Sequence, residues 1–348
     1  MMQAQPRSRS VWALAWGRLR HDRVGMASLW VSAVYVLLVL LASAGLLAQN
    51  WQAEVGVPFA PPHMVGKSST SNFNVHLVPT DIPLADIADI DPLAPIYAQW
   101  AERAAGIKIV DTVRADTLPF GADRLGRDIL AKALKGAQVS ILVGLSAALL
   151  ATLIGTVLGA LGGYFGGRLG DFLEWVYNVF TAVPYILLLF ALAALFKSGP
   201  LGKVFAHGIL PIVIILGTVG WTGIYRLVRA EYIKHRSREY VLAAQAIGAS
   251  HSARMFAHIL PNISHVVLVQ LSLHVVSFIK AEVILSFLGL GVPIDMVSWG
   301  TMLSEAQTEL VLGKWWQLVA ATAMMAGFVT AFAMLTDALR DALDPKLS

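Results

Sequence analysis

Six apolar stretches, each long enough to cross a bilayer as a helix, constrain this chain more than any motif in it. A hydrocarbon core of roughly 30 Å needs about 20 apolar residues at helical rise, and runs of this kind occupy residues 26–47, 139–164, 175–196, 208–225, 263–288 and 315–335. Inside lipid the backbone must bond to itself, so only helices or closed barrels can cross. The runs are too long and too uniformly apolar for the alternating strands of a barrel. The expected fold is therefore an all-α integral membrane protein with six transmembrane helices. Composition agrees: 57% of the residues are hydrophobic and 14% charged, with a mean hydropathy of +0.66, far more apolar surface than a water-soluble domain can cover. Pro184 and Pro211 each remove one intrahelical hydrogen bond and are expected to bend the third and fourth spans.

Residues 1–25 carry Arg7, Arg9, Arg18, Arg20 and Arg23 against a single acid. Ala42-Ser43-Ala44 imitates a signal-peptidase site, but the apolar stretch before it exceeds the usual signal core and five further spans follow. The first helix is expected to be retained. Lys and Arg in short flanking segments mark the cytoplasmic side. With the amino end inside, Arg168, Arg226, Arg229, Lys234, Arg236, Arg238, Arg254, Arg340 and Lys346 fall inside as well, leaving Lys197, Lys203 and Lys314 in the short outer loops. Lys132 and Lys135 run against the bias but belong to a long outer segment, where the rule weakens. Both termini are expected in the cytoplasm. The net charge of +4 reflects this bias, and no nucleic-acid signature accompanies it. With no cysteine in the chain, disulfide and thiolate chemistry are excluded.

The expected organisation is a cytoplasmic segment 1–25, a first helix 26–47, an extracytoplasmic insertion 48–136, a five-helix core 137–338 and a cytoplasmic tail 339–348. The insertion is too long for a plain connector and is expected to fold partly on its own. Its Asp81, Asp86, Asp89 and Asp91 lack the spacing and glycine of an EF-hand, and read as a solvated acidic loop. Within the core, residues 226–262 form a basic, Ala-rich loop. Ala243, Ala244 and Ile247 share one face at helical spacing, Gly248 offers a stop, a second short helix is expected over 250–259, and Pro261 suits the start of the next span. From the residues alone, such a loop is either an amphipathic element on the lipid surface or a docking element in water.

Leu242-Ala243-Ala244, Gly248 and Leu260-Pro261 follow the spacing of the EAA loop of bacterial ABC importer permeases, which this segment resembles. Leu242 stands in place of the glutamate and His258 in place of the isoleucine, with Glu239 one turn earlier as the available acid. The stretch Phe120-Gly121-Ala122-Asp123-Arg124-Leu125-Gly126-Arg127-Asp128 is similar to the G-T-D-x-L-G-R-D box of the C-type permeases of oligopeptide and dipeptide importers. Residues 286–293 and 298–303 resemble their S-F-L-G-L-G-x-x-P and S-W-G-x-M-L boxes, residues 339–345 their L-R-D-x-L-D-P ending, and residues 16–23 their amino-terminal segment. The resemblance covers most of the chain outside 48–118 and implies a type I importer permease. It further implies a second permease, two ATPase subunits that bind ATP and Mg, an extracytoplasmic solute-binding protein and a peptide substrate. This chain would then be a non-catalytic subunit of the bacterial inner membrane without a cofactor of its own. The ATPase-docking residues it implies are Glu239, Tyr240, Ala243, Ala244, Gly248, Ala249, Leu260 and Pro261. For the outer gate or binding-protein contact it implies Glu282, Ser286, Gly289, Gly291 and Trp299. The long insertion is similar to that of a subgroup handling modified peptides such as microcin C; relatives of the group also take nickel complexes.

Gly155, Gly159, Gly163 and Gly167 recur every fourth residue and predict a flat packing stripe on the second span. Lys280 and Glu282 lie near the outer end of the fifth span, where a snorkelling lysine is ordinary and a carboxylate is a functional candidate. His207, His265 and His274 share no metal-ligand spacing. Gly66-Lys67-Ser68 has Pro61 where a P-loop needs glycine, and Gly289-Leu290-Gly291 meets Ile294 where a dinucleotide fingerprint needs its third glycine. ATP must be hydrolysed elsewhere. An ion-driven secondary transporter would favour mid-membrane acids and inverted repeats, and neither is present. An intramembrane hydrolase could draw only on Ser250, His251 and Ser252, which have no acid partner in sequence.

Overall fold

The computed structural model describes residues 11–66, 91–93, 96–105, 114–198, 208–293 and 295–343. Asp81, Asp86, Asp89, Lys67, Ser68, Lys203, His207, Ile294, Asp344, Pro345 and Lys346, each singled out above, lie outside them. The chain divides into a unit of residues Met1–Trp51 and Ile129–Ser348 and a second unit of Gln52–Asp128.

The first unit is helical: α1 (Val11–His21) and α2 (Arg23–Ser43) precede the second unit, which among its described residues holds the helix α3 (Tyr97–Ala105). Then follow α4 (Ile129–Phe165), α5 (Gly167–Ala182), α6 (Tyr185–Ser198), α7 (Leu210–Val219), α8 (Thr222–His235), α9 (Glu239–Ala246), α10 (Leu260–Phe287), α11 (Trp299–Val311) and α12 (Trp316–Leu343). Among the described residues, four helical runs are each long and apolar enough to cross a membrane: α2, α4, α10 with its lead-in from Ala253, and α12. The pairs α5 with α6 and α7 with α8 bring the number to six if each bent pair is one span.

At 37 residues, α4 runs for about 55 Å and packs against α2, α5, α7, α8, α10, α11 and α12. Its glycines explain how α8 lies so close. A Cβ on Gly155 would fall 2.6 Å from the carbonyl oxygen of Trp221, one on Gly159 2.8 Å from that of Tyr225, and one on Gly163 2.5 Å from that of Arg229. Small residues at such contacts let backbones meet where lipid supplies no hydrophobic drive. α2 seats on α12 through the Tyr35 hydroxyl, which donates to the Met324 carbonyl at 3.0 Å. α1 packs on the end of α12, with Leu19 buried among Ala342 and Leu343.

Several boundaries differ from the sequence expectations. The third span is broken rather than bent: α5 and α6 meet at 87° around Pro184, and the helical run starts at Gly167 instead of Trp175. The fourth span bends by 44° at Gly220 and Trp221, whereas Pro211 sits in the first turn of α7, where its missing donor is harmless. Its second half continues to His235, so residues 226–235 of the expected loop are helix. Lys132 and Lys135 belong to α4 rather than to a loop. Gly167 is not part of the glycine stripe, because α4 ends at Phe165 and Gly166 and Gly167 turn the chain with positive φ.

In the second unit, isolated bridges join Glu54 to Arg127, Gly56 to Ala115, Pro62 to Leu118 and Ala122 to Asp128. The box at 120–128 is built around the Asp123 carboxylate. It accepts from the backbone of Leu125 at 2.9 Å and Arg127 at 3.0 Å, and pairs with the Arg127 side chain at 2.7 Å. Gly126 is required there twice over: its φ is +79° and its backbone abuts Gly56. Asp91 accepts from the Tyr97 hydroxyl and from the Leu93 amide at 2.9 Å. The Tyr97 hydrogen bond holds its carboxyl below the ordinary carboxylate value.

Candidate functional site

One end of the helical bundle is made by the last turn of α4, the end of α8, α9 and the start of α10. Helix α9 begins at Arg238, with Glu239 exposed in its first turn. It ends in a Schellman turn: the Gly248 amide donates to the Gln245 carbonyl and the Ala249 amide to the Ala244 carbonyl, both at 3.0 Å. Gly248 adopts φ +86°, the left-handed conformation this cap demands. A Cβ there would meet no atom, so the constraint is the backbone angle alone. The apolar face is not the one expected. Val241 is buried in a cluster with Val228, Tyr232, Met255 and Ile259, and Ala244 is buried as well. Ala243 points outward with Leu242 at 52% exposure and Ile247 at 85%. Tyr240 bonds to His235 Nδ1 at 2.8 Å, and burial raises its phenol above the ordinary value.

The expected second short helix is no separate element. Residues Ala253–Ile259 are wound as a π-helix and run directly into α10, giving one continuous helix Ala253–Phe287. Wider winding of this sort accommodates a local break in the ladder, and Pro261, which cannot donate, follows immediately. Leu260 is half-buried and Pro261 exposed at that junction. Ser250 caps the segment by accepting from the Ala253 amide at 3.2 Å. His251 lies against Tyr164 and Arg254.

At the opposite end, Glu282 is fully buried. Its carboxylate accepts from Ser140 of α4 at 2.7 Å and from Ser286 at 2.6 Å, and bonds to Ser298 as well. The same hydroxyls carry the connection to α11: Ser286 Oγ accepts from the Val292 amide and Ser140 Oγ from the Trp299 amide, both at 3.2 Å. Ser298 and Thr301 form a capping box that starts α11. Trp299 is buried and donates from its indole to the Ala133 carbonyl at 3.2 Å. Glu282, Ser286 and Trp299 thus present no surface outward; Gly289 is exposed and Gly291 half-buried. Nearby, Lys132 is buried and paired with Glu305, whose carboxylate also accepts from Gln317 at 3.1 Å. An open cleft of about 830 Å³ lies between α6, α7 and the 286–305 stretch, with Lys197, Asp295 and Glu305 on its wall.

Ser140 and Gln317 escaped the sequence reading, and Lys132 was read there only for its charge. A polar side chain inside a long apolar run is itself a signal, but its partners, over a hundred residues away in sequence, are not readable from spacing. Lys280 is exposed. His274 bonds to Thr152 at 3.2 Å and stacks on Phe278.

The described residues form a bundle of helices apolar enough to cross a membrane, with the short capped helix α9 set between two spans, the build of a membrane-embedded subunit. Residues 151–348 match the family described as binding-protein-dependent transport system inner membrane component, and residues 10–62 match the N-terminal TM domain of oligopeptide transport permease C. The chain is 32% identical to the dipeptide transport system permease protein DppC of Bacillus subtilis, over 96% of this chain and 85% of that one. It is 35% identical to the oligopeptide transport system permease protein OppC of the same organism, over 73% and 80%. To OppC of Salmonella typhimurium it is 38% identical over 65% and 72%. The chain belongs to the binding-protein-dependent inner-membrane permeases, in the branch of the DppC and OppC proteins. It is a multi-pass, non-catalytic subunit of an ABC transporter complex in which ATP is hydrolysed by other subunits.

Proposed function

We propose that this chain is one of two permeases that together form the translocation path of a peptide importer. Its termini and α9 face the cytoplasm, where α9 docks on one of two ATPase subunits that bind ATP and Mg. A soluble binding protein delivers peptide to the α11 end, and residues 48–136 lie outside the cell. The permease core is then 137–338, with 226–262 as its coupling region. The cleft by Lys197 and Asp295 forms part of the path wall once the second permease closes it, and Glu282 with Ser286 and Trp299 orders the outer gate from within.

The observation that carries this reading is α9 itself: a capped helix that buries Val241 and Ala244 and turns Leu242, Ala243 and Ile247 outward. An exposed apolar surface rimmed by polar residues is the mark of an interaction site. Charge supports the orientation. Arg18 and Arg20 of α1, Arg226 of α8 and Arg340 at the end of α12 share the α9 end of the bundle, as expected for the side that stays in the cytoplasm. Lys132 at the other end is buried in an ion pair and adds no free charge outside. The names of the relatives, dipeptide and oligopeptide permeases, support peptide as the substrate class.

Coupling is tested at Gly248. A β-branched residue at φ +86° costs roughly 1–2 kcal/mol or more and undoes the Schellman turn. Gly248→Val is expected to insert normally in the membrane while peptide uptake by the assembled transporter drops at least tenfold, on the order of 1.4 kcal/mol of lost coupling. Uptake at the level of the unaltered protein would sink the docking role.

A further inference from the structure

Helix α9 is held by more than its buried face. Arg254, in the π-wound segment, reaches back across the turn at 247–250 and donates from Nη1 to Gln245 Oε1 of α9 at 2.6 Å. Its Nη2 donates to His251 Nδ1 at 3.0 Å. The guanidinium lies over the ring of Tyr164, 5.8 Å from its centroid, and the Tyr164 hydroxyl also bonds to His251 Nδ1, at 3.1 Å. Phe165 flanks the imidazole at 5.6 Å. One side chain, only 8% exposed, therefore joins α9, the lead-in to α10 and the last turn of α4. No acid pairs with Arg254 among the described residues, and its Nε is buried without a hydrogen-bond partner. Burying a guanidinium without a carboxylate is costly. Packing alone would be met more cheaply by an apolar residue, as Met255 and Ile259 meet it one turn away.

The position of Tyr164 gives the arrangement its consequence. It sits in the last turn of α4, the helix that packs against α2, α5, α7, α8, α10, α11 and α12. The backbone route from α9 leads only into α8 and α10. Through Arg254, a displacement of α9 passes by charge-assisted hydrogen bonds from Gln245 and to His251, and reaches Tyr164 of α4 by the cation–π contact and the Tyr164–His251 bond. The π winding sets the phase of residues 253–259 relative to α10 and so aims Arg254 at Gln245 instead of outward.

We propose that Arg254 is the positioning residue that transmits movement of α9 to α4, making the Gln245–Arg254–Tyr164 cluster the joint between the docking helix and the central span. The inference rests on the reading of α9 as the ATPase-docking helix, and its test separates the two. The complete transporter, with its second permease, ATPase subunits and binding protein, is reconstituted in vesicles, and ATPase co-purification, ATP hydrolysis and peptide taken up per ATP are measured together. Arg254→Met is expected to retain the ATPase subunits and hydrolysis within about twofold while uptake per ATP falls about tenfold. Arg254→Lys, which keeps the charge but cannot fork to Gln245 and His251 at once, is expected to recover part of that loss. Gln245→Ala in the Arg254→Met background is expected to add nothing further, because the two act as one unit.

Unchanged uptake per ATP in Arg254→Met overturns the proposal, as does an uptake loss that merely follows the amount of permease in the membrane. Loss of ATPase co-purification also overturns it, since Arg254 would then shape the docking surface. If Arg254→Met fails to reach the membrane, Gln245→Leu decides alone: it severs only the α9 side, and unchanged uptake per ATP in that variant is equally fatal. Failure of the docking reading looks different, because the ATPase subunits would then co-purify regardless of changes at Ile247.

Discussion

The Glu282 cluster at one end of the bundle and helix α9 at the other treat their side chains in opposite ways. At the α11 end, charged and hydroxyl groups turn inward: Glu282 is buried among three serines, and Lys132 is buried against Glu305. At the α9 end, apolar groups turn outward, with Ile247 and Leu242 among the exposed large side chains. A buried polar network fixes one arrangement of the elements it joins, since every lost partner leaves an unsatisfied group in a medium of low dielectric. An outward apolar face fixes nothing within the chain and is stabilised only when something covers it. The first pattern is complete within this chain; the second is one that the proposed ATPase docking would complete.

Substitutions at three positions sharpen or break this contrast. The largest effect is expected from Glu282→Ala, which removes the acceptor of several hydroxyls at once. Leaving buried donors unpaired costs about 1–3 kcal/mol each, so the purified permease should lose several degrees of thermal stability or more. Glu282→Gln, which can still accept, should lose clearly less. Equal losses in the two variants would mean that shape rather than hydrogen bonding holds this end together. Next comes Lys132→Met. It strands Glu305, but that carboxylate is partly exposed and keeps its bond from Gln317, so the destabilisation expected is about 1–2 kcal/mol, below the range for a fully buried pair. A denaturant titration monitored by tryptophan fluorescence measures it, and an unchanged midpoint would remove Lys132 from the complete end. The smallest effect on stability is expected from Ile247→Ser, within about 0.5 kcal/mol as for other surface changes. The same variant should retain markedly less ATPase subunit on co-purification. If it instead destabilised the isolated chain as much as Glu282→Ala does, the two ends would not differ in kind.

The boxes seen in the sequence owe their pattern to local demands, which is why they were legible. Gly248 closes α9 because only a residue tolerant of positive φ can occupy that cap. Ser298 starts α11 because its hydroxyl and the Thr301 side chain satisfy each other's amides. Asp123 and Gly126 define their turn within five residues. Less was legible wherever a contact spans the chain. The face of α9 was misassigned because Ala243, Ala244 and Ile247 fit helical spacing equally well with either side buried, and burial was decided by Val228, Tyr232 and Met255 arriving from two other helices. The break between α5 and α6 exceeded what Pro184 alone implies.

Membrane residence, helical spans and the helix stop at Gly248 could be read from the residues, because lipid and backbone geometry act on neighbouring residues without reference to the rest of the fold. Only the tertiary structure decided which polar residues are silent. Glu282, Ser140, Lys132 and Arg254 look alike in sequence as polar groups in or beside apolar runs. Their roles differ because three-dimensional packing supplies each with different partners from distant segments, and no local rule can say which partners will arrive.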